Sequence, residues 1–254
     1  VFEPVTSQIG AILLAALRLG PTLAFAPPFT LVRMPAMIRA VFVVALAVAM
    51  LPVIAPRSYP MDPATLLIAG LRELGVGIAL ALALQLAFAM IAVAGRALDI
   101  QAAFGLAFLI DPKTGAQTPL IGALFTYAAA AVFFTTSAPL DLIRTFALSY
   151  EQIPMGTAGT PTEIGSLLAF LAGVSVAALG LVGLAVTVLF VIDLVVALTS
   201  RTMPQMNVLV LGFQVKAIVA LLILPPTIGL AGAGIMRIIR LALEAMLTIA
   251  PRHG

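Results

Sequence analysis

Cysteine and tryptophan are absent from the chain, and histidine occurs once, as His253 near the end. Without thiols there is no disulfide framework, no thiol nucleophile and no Cys-ligated metal or cluster. A single tail histidine leaves no material for a Ser–His dyad or other His-based chemistry. Charge is scarce: Asp, Glu, Lys and Arg make up 9% of the 254 residues, against about 25% in a soluble globular domain. The net charge of +3 comes from scattered residues rather than a basic patch, which argues against a nucleic-acid partner. No P-loop or other nucleotide motif occurs. The stretch VFEPVTSQIG has neither a basic n-region nor a small-residue cleavage site, so it does not read as a signal peptide. The first apolar segment is expected to direct insertion itself.

What the chain does have is apolar length. Hydrophobic residues make up 63% of it. Seven apolar segments are expected, at about 9–27, 40–55, 64–95, 120–135, 164–199, 208–226 and 227–250. Gly20-Pro21 is expected to break the first, and Pro225-Pro226 to divide the sixth from the seventh. Roughly 20 apolar residues cross a hydrocarbon core. The third and fifth segments exceed that and would reach on the order of 50 Å if straight. Either they break, at Gly75 and Gly77 and at Gly173, Gly180 and Gly183, or they project beyond the bilayer and need another protein to cover them. Between 136 and 163, Leu140, Ile143, Phe146 and Ala147 recur at helical spacing and predict an amphipathic helix at an interface, ending at Pro154. Arg33, Arg39, Arg96, Lys113 and Arg201 lie in odd-numbered links, which predicts an N-terminus outside and a C-terminus in the cytoplasm. No internal repeat of the inverted-transporter kind is found.

The connection 96–119, RALDIQAAFGLAFLIDPKTGAQTP, is long and half apolar. It carries Arg96, Asp99, Asp111 and Lys113, the turn-formers Gly105, Pro112, Gly115 and Pro119, and an apolar run from Phe104 to Ile110. Non-helical backbone at membrane depth is tolerated only where protein or a water-filled cavity satisfies it. Two readings stand on the residues alone: a gate or plug loop folded into a protein-lined cavity, and a surface loop with an amphipathic turn.

Charges inside apolar segments need partners, since each costs about 2.5–3.5 kcal/mol at the bilayer centre. Arg72 and Glu73 are adjacent and diverge on a helix, so each is expected to face another subunit. Arg96 and Asp99 are three apart and can pair, or sit at a solvated helix end. Asp193 lies eleven residues before Pro204, and Lys216 eleven after Gln205. In an antiparallel hairpin both fall roughly 17 Å from the turn, which predicts a buried ion pair. The alternatives are that the two face different neighbours or that Lys216 snorkels. A proton-relay role for Asp193 is a further option.

The stretch from Arg201 to Lys216, with Pro204, Gln205, Asn207, Gly212 and Phe213 in order, resembles the signature of the FliR family of flagellar export-gate proteins and their injectisome relatives. That signature has an Asp upstream, where Asp193 stands, and commonly a Pro where this chain has Gln214. Glu73, Gly77, Ala94-Gly95, Asp99, Gln101 and Asp111-Pro112 resemble the family's central block, with Ala103 at a position usually Gly. Ser149, Pro154 and Gly156 resemble its S-[FY]-x-x-x-P-x-G run, and Pro139 stands where relatives often carry His.

The resemblance implies an all-α polytopic membrane protein of helical hairpins with long broken helices, part of a helical hetero-oligomeric export gate. It implies one export-gate domain over 1–254, a plug loop within 96–119 and a C-terminal hairpin over 164–224. Implied partners are FliP-type and FliQ-type membrane subunits, an FlhB-type switch protein and unfolded export substrates, in the bacterial inner membrane at the flagellar basal body. Phe104, Gly105, Leu106, Phe108, Leu109, Asp111, Pro112 and Gly115 would form the plug, and Arg201, Pro204, Gln205 and Asn207 the hairpin turn. No cofactor or metal is expected, and no catalysis. The competing readings are a secondary transporter of a small solute, using Asp193, Lys216, Arg18 or Gln85, and an intramembrane enzyme, for which only Asp99 with Asp193 offers paired carboxylates.

Overall fold

A computed structural model describes residues 3–54, 62–104, 119–157, 164–202 and 208–249. Among the described residues the regular structure is helical: α1 (Glu3–Phe25), α2 (Ala36–Met50), α3 (Pro63–Gln101), α4 (Leu120–Thr135), α5 (Ala138–Gln152), α6 (Ile164–Thr202) and α7 (Val208–Ile249). Four helices are long and apolar enough to cross a membrane, and α4 with α5, bent by 75°, would make a fifth span. The protein is therefore an all-α polytopic membrane protein. The chain divides into two compact units, one of residues 1–87, 133–173 and 239–254, the other of 88–132 and 174–238.

The long helices run unbroken. α3 and α6 are each 39 residues, about 58 Å at 1.5 Å per residue. The glycines of α6 that suggested breaks, Gly173, Gly180 and Gly183, stay helical in open space. α1 passes through Pro21, and α7 passes through Pro225 and Pro226, so the expected sixth and seventh segments are one helix of 42 residues. An interior proline removes one amide but is tolerated in apolar helices where other groups take up the freed backbone. The carbonyls that Pro225 and Pro226 leave without an i+4 amide are those of Leu221 and Leu222; beside them the Thr227 hydroxyl donates to the Ile223 carbonyl at 2.6 Å.

The first unit is organised on Arg18 of α1, which is fully buried. Its Nε donates to Glu73 Oε2 at 2.6 Å and its Nη2 to Oε1 at 3.0 Å, a two-pronged pair with α3. Nη1 donates to the Ser149 carbonyl at 2.9 Å and Nη2 to the Ile153 carbonyl at 3.0 Å, both at the end of α5. The guanidinium carbon lies 4.2 Å from the centre of the Tyr150 ring, in cation–π geometry. Gly156, at φ 76°, turns its amide onto Glu73 Oε1 at 2.8 Å and its carbonyl onto Arg72 Nη1 at 3.0 Å. That left-handed backbone is one glycine adopts without strain.

Glycine also allows the pair to form. A Cβ on Gly77 would run into the Arg18 carbonyl oxygen and lie 2.8 Å from that of Leu17. Leu17 has no i+4 amide to bond, because that position is Pro21. α1 and α3 thus cross backbone to backbone at the level of the ion pair. α2 packs against α1, where a Cβ on Gly20 would lie 3.9 Å from Val43 Cγ1.

These contacts correct one expectation. Glu73 does not face another subunit; it is fully buried against Arg18 of its own chain. Its neighbour Arg72 is exposed and reaches only the Gly156 carbonyl. α5 leaves Leu140 and Ile143 exposed. Its buried face is Ala138, Leu142, Thr145, Phe146, Ser149 and Tyr150, a helical stripe that includes three hydroxyls, of which Tyr150 donates to the Ala15 carbonyl at 3.4 Å. Thr145 and Ser149 satisfy themselves on the carbonyls of Asp141 and Phe146. Burying them therefore costs little.

Removing one partner of a buried pair leaves a desolvated charge and costs about 3–5 kcal/mol. Glu73→Ala is expected to lower the stability of the purified protein by that order, measured by thermal unfolding in detergent. Arg18→Met with Glu73→Leu should recover part of the loss but not all, because the Ser149 and Ile153 carbonyls and the Gly156 amide lose their partners. Unchanged stability in Glu73→Ala would refute the assignment.

Candidate functional site

The second unit gathers its polar side chains at the ends of helices. α3 runs past the expected boundary at 95 to Gln101, so Arg96, Asp99 and Gln101 are helical and the central connection begins only at Ala102. The helix stops through Ala103, whose φ of 63° is left-handed, with the Ala102 amide on the Leu98 carbonyl at 2.8 Å and the Ala103 amide on that of Ile100 at 3.1 Å. Helices commonly end on such a residue, usually glycine. Ala103 therefore stands in strain at the place where the family resemblance has Gly.

Asp99 is buried, at 2% exposure. It does not pair with Arg96, which is exposed. Instead its two carboxylate oxygens accept the amides of Ile121 at 2.9 Å and Gly122 at 3.0 Å, the second and third residues of α4. First-turn amides have no partner within their own helix. The residue before α4 is Pro119, which has no side-chain acceptor, so the cap comes from α3. The approach that lets Asp99 reach is again between glycines: a Cβ on Gly95 would lie 2.7 Å from Gly122 Cα. The carboxylate also faces the positive end of the α4 dipole, a further favourable term.

Gln101 points to the C-terminal helices. Its Nε2 donates to Asp193 Oδ2 of α6 at 2.9 Å, and Asp193 Oδ1 is paired with Lys216 Nζ of α7. One helical turn from each, a Cβ on Gly212 would meet Val196 Cγ1 at 3.0 Å. Residues 193 and 196 of α6 thus oppose 216 and 212 of α7, as in an antiparallel hairpin. The pair is less buried than expected: the Lys216 side chain is 17% exposed and that of Asp193 38%. α6 buries only one stripe, Val174, Ala178, Val182, Ala185 and Leu189, and Asp193 lies at its end.

Of the expected plug residues, Phe104 is described, half-buried one residue beyond Ala103; Gly105, Leu106, Phe108, Leu109, Asp111, Pro112 and Gly115 lie outside the described residues. Of the hairpin-turn residues, Arg201 is exposed in the last turn of α6, and Pro204, Gln205 and Asn207 lie outside the described residues. The Arg18–Glu73 pairing and the Asp99 cap were missed from sequence. The signal for the first was present: a lone Arg in one apolar segment and a lone Glu in another.

Asp193 holds two partners and Lys216 one, which ranks their substitutions. Lys216→Met is expected to cost about 1–3 kcal/mol, between the limits for exposed and buried pairs. Asp193→Ala should cost more, because it also frees Gln101. Thermal unfolding of both variants checks the order, and the reverse ranking would refute the shared-acceptor geometry.

The sequence profile described as Bacterial export proteins, family 1 matches residues 9–242. The chain is 30% identical over 243 residues to the flagellar biosynthetic protein FliR of Bacillus subtilis, covering 93% of each chain. It is 24% identical over 208 residues to the protein of the same name in Escherichia coli, covering 81% of this chain and 79% of that one. It is also 26% identical over 192 residues to the Yop proteins translocation protein T of Yersinia pestis, covering 74% of each. A match that spans all seven helices is more than a shared motif, and the chain belongs to family 1 of the bacterial export proteins.

Proposed function

We propose that the chain is a subunit of the core gate of type III protein export, in its flagellar form, and that it conducts unfolded export substrates without catalysing a reaction. The observation that carries this reading is the nearly full-length match to a flagellar biosynthetic protein. The geometry supports a role inside a larger assembly. α6 is strongly apolar, yet only 17% of its most apolar stretch is buried by its own chain, whereas that of α3 is 50% buried. An apolar helix of about 58 Å exceeds a hydrocarbon core of about 30 Å, so part of its bare surface needs protein to cover it. FliP-type and FliQ-type membrane subunits are the proposed cover, with an FlhB-type switch protein as a further contact.

The central connection is the proposed plug. Its apolar run from Phe104 to Ile110 supplies a seal against ions, and Gly105 and Gly115 the freedom to swing aside. A chain lacking Gly105 to Gly115, placed in cells with the whole assembly, is expected to leak ions across the inner membrane while the complex stays intact. Sealed membranes with an intact complex would overturn the plug.

Counting α4 with α5 as one span makes five crossings. An odd number supports termini on opposite sides, and the proposed orientation has the N-terminus outside and the C-terminus cytoplasmic. Arg33, Arg39 and Arg57 then share the first cytoplasmic link. Because the chain has no cysteine, one introduced at Met37, which is 80% exposed, is a unique label. It should resist a membrane-impermeant thiol reagent applied from outside until the membrane is opened; immediate labelling would reverse the orientation. The Asp193–Lys216 pair favours one competing reading, a secondary transporter, which solute uptake by the purified chain alone would support over the gate.

A further inference from the structure

We infer that Asp99 is a positioning residue of the gate: by capping α4 from α3 it holds the exit and the re-entry of the central connection at one point. This rests on the reading of that connection as a plug. Whatever path the intervening residues take, the chain leaves α3 at Ala102 and returns at Pro119, just before the amides that Asp99 binds.

Three observations carry it. The cap is long-range, from a residue 22 positions upstream of Ile121, and the N-cap position is Pro119, whose side chain has no acceptor. The cap is double, one carboxylate oxygen to each of two amides, and is 2% exposed, so water is excluded as a substitute. The approach behind it is backbone on backbone at Gly95 and Gly122, so the contact has no long side chains with which to absorb a shift. An apolar interface alone would let α4 slide along α3, since the hydrophobic effect is non-directional. Two charge-assisted hydrogen bonds set one register.

The same geometry supplies a test that a general stabilising role would not pass. The amides of Ile121 and Gly122 have no acceptor within α4. Their protection from hydrogen exchange reports on Asp99. In the assembled complex in detergent, both amides are expected to exchange slowly in the parent chain. In Asp99→Ala they should exchange at least about tenfold faster, the order expected for losing a hydrogen bond to a charged group. Asp99→Asn, which keeps the volume and one good acceptor, should fall between, while amides within α5 stay unchanged in both.

Inner-membrane ion leakage is expected to follow the same order: none in the parent, intermediate in Asp99→Asn, largest in Asp99→Ala, with the complex assembled. Unchanged exchange in the variants would overturn the cap. Fast exchange with sealed membranes would overturn the positioning role and leave the plug reading standing. The plug reading fails instead if the Gly105 to Gly115 deletion is sealed, an outcome that does not depend on Asp99. If Asp99→Ala does not assemble, Asp99→Asn carries both measurements.

Discussion

A guanidinium in the middle of an apolar helix has few ways to exist, and the first unit is arranged around the one it found. Arg18 uses Nε and both terminal nitrogens, and its acceptors come from two other elements: the Glu73 carboxylate on α3, and the carbonyls of Ser149 and Ile153 where α5 ends. The turn that follows returns the Gly156 amide to the same carboxylate. Neither α1 nor α3 can leave this arrangement without orphaning a buried charge, and α5 cannot leave without taking two acceptors from Arg18. A buried ion pair is weak evidence for net stability, because desolvation offsets much of the attraction. Its consequence here is specificity: it selects one register among helices whose apolar surfaces could pack in many.

The second unit solves the same problem at its helix ends. Asp99 ties the end of α3 to the start of α4, and Gln101, Asp193 and Lys216 tie that same end to α6 and α7. The close crossings fall beside these links, Gly77 at Arg18 and Gly95 with Gly122 at Asp99. Polar contact and glycine occur together for a physical reason. A short side chain such as Asp reaches a neighbouring backbone only if the two helices approach closely, and only glycine leaves room for that.

Membership of the bacterial export family gives these contacts a setting. The Ser149, Pro154 and Gly156 pattern, met first as a resemblance, is the turn that closes over the Arg18–Glu73 pair. The block from Glu73 through Asp99 and Gln101 is the row of α3 residues that bind α1, α4 and α6. Those patterns describe how the chain holds its own helices together. The surfaces left bare lie mainly along α6 and α7.

The helical content and the membrane character were legible from residue order, because apolar length is a one-dimensional property. Helix limits at Gly20-Pro21 and Pro225-Pro226 were misread, since a proline marks a missing amide but not whether a neighbour compensates for it. The buried faces were not legible either. On α3 the row Val76, Leu80, Ala83, Ala87, Ile91, Ala94 and Leu98 is buried while Ile78, Leu82 and Val93 are exposed, and these residues are equally apolar. A helix that is hydrophobic all round carries no periodic signal for its inner side. The sequence by itself determined that Arg18 and Glu73, each inside an apolar segment, needed partners. Only the tertiary structure decided which partners, because a charge in an apolar segment states a debt of hydrogen bonds, and the backbone groups that satisfy it are present in every residue.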